Sequence, residues 1–199
     1  MIKIKDLDKG APYVLFKKFY KLAISNDQKS TEVVAISSLN KNNKEIESRY
    51  VNLKYIQNDE WIFFSNYNSN KANDFKNNNY IGALFYWDSI NLQIRIKATI
   101  NKTSESFSDS HFYKRSNEKN ALAISSDQSR IIESYKIVKS KYKRVLSDKD
   151  LIRTRPTYWG GYSFTPYYFE FWKGHENRLN KREVYKKIDD NWKHLILQP

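Results

Sequence analysis

The stretch Trp159–Arg182 concentrates side chains that could recognise a flat, negatively charged ligand. It reads WGGYSFTPYYFEFWKGHENRLNKR, in which a run of aromatic residues is followed by Arg178 and Arg182, four residues apart. An arginine guanidinium is planar and charged, and it forms paired hydrogen bonds with phosphate or carboxylate groups. The adjacent Gly160 and Gly161 are typical of a place where another group approaches the backbone closely. The stretch therefore predicts an aromatic wall that ends in two cations.

The elements that must position these residues are mostly β-strands. Alternation is clearest at 92–102, where Leu92 and every second residue after it are apolar, as in a strand with one buried face. On this pattern Arg95 and Lys97 belong to the solvated face. Strands are predicted at 31–38, 46–55, 61–65, 80–87, 92–102, 168–173, 183–188 and 192–197.

Helical spacing of apolar residues predicts the remaining elements. An amphipathic helix follows Pro12, which is placed for a first helical turn. A short helix is expected around 72–76, and two or three more at 104–146, the longest of them at about 127–146. Residues 1–10 are charged and predict a loose arm. The chain is predicted to be one domain, 1–199, mainly β with flanking helices, forming a closed or nearly closed β-barrel.

Composition narrows the class of protein. The net charge of +13 is compatible with nucleic-acid binding, but the lysines are spread along the chain without a nucleic-acid motif, so an anionic small ligand is favoured. There is no cysteine, and the three histidines have no metal-ligand spacing, so no metal site is expected. No apolar run of membrane-spanning length and no signal-peptide core is present. We expect a soluble, cytoplasmic protein without nucleic-acid or membrane partners.

Five segments in order resemble the pyridoxamine 5′-phosphate oxidase family, from about Pro12 to Pro199. They are RYVNLK at Arg49, FFSNYNSNK at Phe63, LQIRIKA at Leu92, SSDQS at Ser125, and the C-terminal signature WGGY, EFWKG and RLxxR. The resemblance implies an FMN-binding split barrel of the antiparallel Greek-key type. It also implies a homodimer with flavins at the subunit interface, in which residues 159–199 form the dimerisation region.

The resemblance further implies a set of residues that bind FMN. Arg49 and Lys71 would hold the cofactor phosphate, Gln93 would hydrogen-bond the flavin ring, and Trp172 and Arg182 would close the site. The full set is Arg49, Tyr50, Val51, Asn52, Leu53, Lys54, Phe64, Ser65, Lys71, Gln93, Gln128, Ser129, Trp172 and Arg182.

A second implied set binds the substrate. Lys54, His111, Arg115 and Arg178 stand at its positions, and Arg178 would be the catalytic residue over the reacting carbon. The chain departs from the family pattern at five places: His111 replaces a Tyr, Lys119 a Ser, Asn180 a His, Asn70 an Arg and Lys181 an Asp. His111 and Lys119 can still donate hydrogen bonds to a phosphate, whereas Asn180 cannot titrate near neutral pH.

The implied activity is oxidation of pyridoxamine or pyridoxine 5′-phosphate to pyridoxal 5′-phosphate. A hydride would pass to FMN, and O2 would reoxidise the flavin with release of H2O2. The departures at Asn180 and His111 keep one alternative open, an FMN-dependent oxidase of the same fold that acts on another ring, as in phenazine biosynthesis. A flavin- or anion-binding protein without turnover is the other alternative.

Overall fold

The computed structural model describes residues 1–199 as ten strands and five α-helices. The strands are β1 Lys3–Lys5, β2 Val33–Leu39, β3 Ile46–Asn52, β4 Tyr55–Gln57, β5 Glu60–Asn66, β6 Tyr80–Trp87, β7 Leu92–Lys102, β8 Trp159–Lys173, β9 Lys181–Ile188 and β10 Asn191–Leu197. The helices are α1 Ala11–Ser25, α2 Asn70–Asn77, α3 Glu105–Tyr113, α4 Asn117–Ser125 and α5 Tyr135–Ser147. None of these helices combines the length and the apolar character needed to cross a membrane.

All ten strands join one sheet, in the order β1-β4-β5-β8-β7-β6-β2-β3, with β9 and β10 continuing from β8. The central strand is β8, 15 residues long. One edge of β8 pairs with β5 along 159–164 and with β9 along 168–173, and the other edge pairs with β7. The pairs are antiparallel except β1 with β4. The predicted class, mainly β with flanking helices, is confirmed.

The core lies between α1 and the inner face of the sheet. Phe16 of α1 is fully buried, with its ring centroid 4.4 Å from that of Trp61 and 5.7 Å from that of Phe85. The predicted alternation of β7 is confirmed, because its apolar residues are buried and its polar ones are not. The β6–β7 hairpin has the predicted bounds at both strands, since local alternation alone defines it.

The predicted loose arm at 1–10 is wrong. Residues 3–5 form β1, which pairs in parallel with β4, and the side chain of Ile2 is buried in the core. The backbone N–H of Ile2 donates to the Tyr20 hydroxyl at 2.8 Å. Two apolar residues that alternate with lysines are enough to pair the segment with the sheet edge, although so short a pattern is a weak signal.

Two further predicted boundaries differ from the structure. The longest helix of the 104–146 region begins at Tyr135, not near Asp127, because the Ser134 side chain caps it by accepting from the Lys136 N–H. Ile131, which lies within the predicted helix but before Tyr135, is fully exposed. The predicted strand 46–55 is divided into β3 and β4, and β8 extends nine residues upstream of the predicted start.

Gly160 and Gly161 allow neighbouring side chains to approach β8, and neither has a positive φ. A Cβ at Gly160 would overlap the Tyr67 hydroxyl and come within 2.9 Å of Ser108 Oγ. Ser108 Oγ also accepts from the Gly161 N–H at 3.0 Å, which joins α3 to β8. The close approach therefore decides where α3 lies relative to the sheet.

We expect Gly160→Ala to lower the free energy of unfolding by about 1–3 kcal/mol, the usual cost of overpacking. Gly82→Ala is the matched control, because a Cβ there has its nearest neighbour, Ser37 Cβ, at 3.8 Å. Urea unfolding of both variants measures the difference. Equal stability of the two variants would contradict the close-approach explanation.

Candidate functional site

A pocket of about 800 Å³ lies beside β3, β4 and β5 and is bounded by the end of α3 and by the start of β8. It is rich in cations and has no acidic lining residue. The side chains or backbone atoms that line it belong to Arg49, Tyr50, Val51, Asn52, Lys54, Phe64, Ser65, Lys71, His111, Lys114, Arg115, Ser116, Lys119, Gln128 and Trp159.

Lys71 is a buried cation without an acidic partner. Lys71 is only 7% exposed. Its Nζ donates to Ser69 Oγ at 3.1 Å and to Gln128 Oε1 at 3.4 Å. Burial, assisted by the nearby Arg49 charge and opposed by Glu47, lowers the pKa of Lys71 to about 8. A buried ammonium with only neutral partners is stabilised when an anion binds beside it.

Arg49 stands near Lys71 and is held in place by the strands. Its Nη1 donates to Ser38 Oγ at 2.8 Å, and its Nη2 pairs with Glu47 at 2.8 Å. Arg49 is near enough to Lys71 to lower its pKa, whereas a different set of cations lowers the pKa of Lys54. The cations around Lys54 therefore form a second, separate cluster.

Arg115 is the centre of the second cluster. Its guanidinium lies 4.2 Å from the centroid of the Trp159 ring, and its Nη2 donates to the Lys119 carbonyl at 2.9 Å. Nη1 is buried and has no hydrogen-bond partner in the chain. Burial lowers the pKa of Arg115 to about 10. An unpaired buried donor is costly, so this atom is suited to an anionic ligand.

Lys54 belongs to the same cluster. Burial lowers the pKa of Lys54, the charges of Lys119 and Arg115 lower it further, and Glu32 opposes them. A cluster of cations in which two lower the pKa of a third is typical of a binding site for a multiply charged anion.

The same pocket is lined by a layer of parallel rings. Phe64 stacks on the His111 imidazole with ring centroids 3.6 Å apart and an interplanar angle of 10°. Trp159 lies on a nearly parallel plane, 5.3 Å from the Phe64 centroid. His111 Nδ1 is 2.8 Å from the Tyr55 hydroxyl, which fixes the imidazole in this layer. A flat ligand has aromatic surface to pack against here.

Three predicted FMN residues lie outside this pocket and next to one another. Gln93, Trp172 and Arg182 are direct neighbours in register across β7, β8 and β9. Arg182 donates through Nε and Nη2 to Oε1 of Glu170, at 2.9 and 2.7 Å. Glu170 is 1% exposed and also accepts from Arg95 at 2.9 Å. Arg95 lies on the solvated face of β7, as predicted, and it also forms this ion pair with the buried carboxylate.

The loop after β8 carries the predicted catalytic residue, Arg178. It is exposed, with a backbone φ of 61°, and it does not line the pocket of its own chain. Asn180 Oδ1 accepts from the His175 N–H at 3.0 Å. Two predicted FMN residues also lie away from the pocket: Leu53 is in the core, and Ser129 is exposed.

Sequence reasoning missed Lys114 and Ser116 of the pocket lining, and also three residues that shape the sites. Trp159 forms one face of the pocket, Tyr55 holds His111, and Glu170 holds two arginines. Trp159 and Glu170 lie inside the WGGY and EFWKG segments, so the motifs themselves were a usable signal. Tyr55 directly follows RYVNLK and had no signal of its own, because its partner is 56 residues away.

The residues present fit FMN, which needs cations for its phosphate and a flat surface for its ring. Lys71 lacks an acidic partner, Arg115 Nη1 is unpaired, and aromatic rings line the same pocket. Each charge-assisted bond to phosphate contributes about 1.5–3 kcal/mol, so these donors suit a phosphorylated ligand.

The fold is that of the FMN-binding split barrels. The structure resembles that of PhzG from Burkholderia lata 383 in complex with tetrahydrophenazine-1-carboxylic acid, with a TM-score of 0.89, 24% identity, and coverage of 94% of this chain and 92% of that one. A pyridoxamine 5′-phosphate oxidase-related, FMN binding protein from Nostoc punctiforme aligns with a TM-score of 0.74 and 12% identity, over 92% and 97% of the two chains. At these identities the likeness concerns the fold.

Sequence comparison is more specific. Residues 23–159 match the sequence model of pyridoxamine 5′-phosphate oxidase, and residues 159–199 match that of the pyridoxine 5′-phosphate oxidase C-terminal dimerisation region. A pyridoxine/pyridoxamine 5′-phosphate oxidase 1 from Hydrogenovibrio crunogenus is 30% identical over 94% of this chain and 88% of its own length. The Haemophilus influenzae oxidase is 32% identical over 94% and 89%. The chain belongs to the pyridoxamine 5′-phosphate oxidase family and is an oxidoreductase.

Proposed function

We propose that this protein oxidises pyridoxamine 5′-phosphate and pyridoxine 5′-phosphate to pyridoxal 5′-phosphate, with FMN as cofactor. The alcohol reacts with O2 to give the aldehyde and H2O2. The amine reacts with O2 and water to give the aldehyde, ammonia and H2O2. The observation that carries the proposal is the pair of cation clusters on one aromatic-lined pocket, which suits two phosphorylated rings at once.

Each cluster is assigned one phosphate. Arg49 and Lys71 hold the FMN phosphate, and Ser65 and Gln128 lie beside them to complete its site. The substrate phosphate is held by the second cluster, which consists of Lys54, His111, Arg115 and Lys119. The charged Lys119 stands where the family has a serine, so the substrate phosphate meets one additional cation.

The protein's part in the reaction is orientation and charge. FMN, when bound, supplies an acceptor for two electrons and passes them to O2. The second cluster fixes the substrate by its phosphate, which places its ring against the aromatic layer and converts the redox step into a reaction between positioned partners. Arg178 acts as the residue over the reacting carbon, where its guanidinium orients the substrate's polar groups.

The functional unit in this proposal is a homodimer. The Gln93–Trp172–Arg182 group and Arg178 lie outside the pocket of their own chain, so a second copy would contribute them. Residues 159–199 match a dimerisation region. The outward sheet face also exposes large apolar side chains, including Tyr50 at 78%, Tyr86 and Leu84, as expected of a surface covered by another chain.

One departure favours a second candidate, an FMN-dependent oxidase of the same fold with a different ring substrate. The Asn180 carbonyl oxygen is occupied by the His175 N–H, which closes the loop that carries Arg178. Only the amide NH2 of Asn180 is then free, so this position offers a donor and no titratable group. Asn180 therefore interacts with a substrate ring differently from a histidine at the same position.

The deciding experiment is a visible spectrum of the purified protein reconstituted with FMN, followed by anaerobic addition of pyridoxamine 5′-phosphate. Bleaching of the flavin band, and its return with O2, is the expected result. A flavin band that stays unchanged would support the second candidate or a protein without turnover. Failure to retain FMN would overturn the proposal from the cofactor onward.

Lys71→Ala should weaken FMN binding more than any other property of the protein. The reason is that a buried charge-assisted bond to phosphate contributes about 1.5–3 kcal/mol. The expected decrease in FMN affinity is about 10- to 100-fold, and fluorescence titration with FMN measures it. The pH dependence follows from the pKa of about 8. Phosphate prefers the ammonium, so FMN affinity should fall as the pH rises through about 8.

Lys71→Arg is the control for this pH dependence, because a guanidinium does not titrate in the same range. Its FMN affinity should stay level between pH 7 and 9, whatever its absolute value. The same decline in both proteins would show that another group causes it.

A further inference from the structure

His111 and Tyr55 form a pair whose geometry the proposed activity does not by itself require. Tyr55 lies on β4 and His111 near the end of α3. The Tyr55 hydroxyl oxygen is 2.8 Å from His111 Nδ1, and the two rings meet edge to face at an interplanar angle of 83°. His111 Nε2 makes no hydrogen bond within the chain, and His111 lines the pocket.

The surroundings of His111 keep the imidazole neutral. Burial, together with the charges of Arg115, Lys54, Lys3 and Lys114, lowers the pKa of His111 to about 4. All the charged groups that act on the ring are cations. Burial raises the pKa of Tyr55, so its phenol keeps its proton.

A neutral imidazole has one N–H donor and one acceptor nitrogen. The Tyr55 hydroxyl hydrogen has no other acceptor in the chain, which favours its donation to Nδ1. In this arrangement Nδ1 carries the lone pair, and the proton of His111 is on Nε2. This nitrogen then provides an uncharged donor among the cations that surround the predicted substrate phosphate.

We propose that Tyr55 is a positioning residue that holds His111 in the Nε2–H tautomer, so that His111 donates one uncharged hydrogen bond to a phosphate monoester. The identification of that ester with the substrate phosphate rests on the proposed function. The consequence is a specific role for a residue that departs from the family pattern. His111 with Tyr55 supplies the neutral donor that a tyrosine at position 111 would supply alone.

The tautomer is tested by NMR of the FMN-reconstituted protein with 15N-labelled histidine. The chain has three histidines, so the His111 signals are assigned by their loss in His111→Tyr. We expect the Nε2–H pattern at neutral pH, perturbed by inorganic phosphate, and a mixture of tautomers in Tyr55→Phe. An Nδ1–H pattern in the unmodified protein would overturn the proposal. Because phosphate is the probe, this test does not depend on turnover.

The functional readout is a double-mutant cycle on the apparent affinity for pyridoxine 5′-phosphate. Tyr55→Phe should raise KM about 3- to 10-fold with a smaller change in kcat, because a neutral hydrogen bond is lost from binding. In the His111→Tyr background the same change should alter KM less than twofold. An equal effect in both backgrounds would mean that Tyr55 acts only through packing and would contradict the proposal.

If no vitamer is turned over, the same cycle is measured with inorganic phosphate affinity. Level phosphate affinity across the four proteins would then overturn the role of His111. A loss of phosphate affinity in Tyr55→Phe that is absent in the His111→Tyr background would support the role of His111, even though the oxidase activity fails. Thermal unfolding of each variant accompanies the cycle, and Phe keeps the Tyr55 ring contacts with Phe64 and Phe107.

Discussion

Arg178→Ala should lower turnover about 100-fold and leave FMN content close to that of the unmodified protein. Loss of one preorganised donor at a reacting centre commonly costs this much. Arg178 is exposed on a loop, so its replacement removes no core packing. The expected outcome depends on a second copy placing this loop over the pocket. Steady-state kinetics and the flavin absorbance of the same preparation measure both quantities.

Two variants separate this effect from a general loss of charge. Arg144→Ala removes an exposed arginine from α5, outside the pocket, and should not change turnover. Arg178→Lys keeps the charge but loses the planar fork, so only part of the activity should return. Full turnover in Arg178→Ala would remove Arg178 from the catalytic assignment.

Glu170→Gln is expected to destabilise the protein and weaken flavin retention together. The carboxylate accepts four hydrogen bonds: two from Arg182, one from Arg95 and one from the Tyr168 hydroxyl. A glutamine amide has one oxygen and one NH2, so one arginine would face a donor. The side chains of Arg95 and Arg182 are 49% and 25% exposed, which reduces the cost to about 2 kcal/mol, below that of a fully buried pair.

A loss of about 2 kcal/mol corresponds to a Tm lower by about 4–8 °C in a protein of this size. Glu183→Gln is the matched control on the neighbouring strand, because the partners of Glu183, Lys181 and His194, have side chains that are 65% and 45% exposed. That variant should change Tm by less than 2 °C, since exposed ion pairs contribute about 0–1 kcal/mol. If both variants behaved alike, the buried carboxylate would have no special role in holding Arg182.

Local pattern was sufficient for elements whose neighbours lie close in sequence. The β6–β7 hairpin and α1 follow from alternation and helical spacing over a few residues, because each buries one face against the core. The wrong predictions arose where a local pattern was weak or interrupted. β1 has only three residues and depends on pairing with β4, and the start of α5 depends on the Ser134 cap.

For the candidate site, the sequence predicted the residues but not their proximity. The family resemblance was enough to nominate Arg49, Lys54, Lys71 and Arg115, and the structure brings these four to one pocket. Their sequence separations carry no information about that proximity. It arises because β3, which pairs only with β2, also contacts β5, and because α2 and α3 add Lys71 and His111 to the same pocket.

The sequence by itself therefore determined the family, the fold class and most residues that could bind phosphate, because these depend on residue type and motif order. Only the tertiary structure decided which of those residues share a pocket and which face away from it. Gln93, Trp172 and Arg182 become neighbours through the register of three strands, and Tyr55 meets His111 through the packing of α3 on the sheet. Such contacts join residues far apart in the chain, and local periodicity does not specify them.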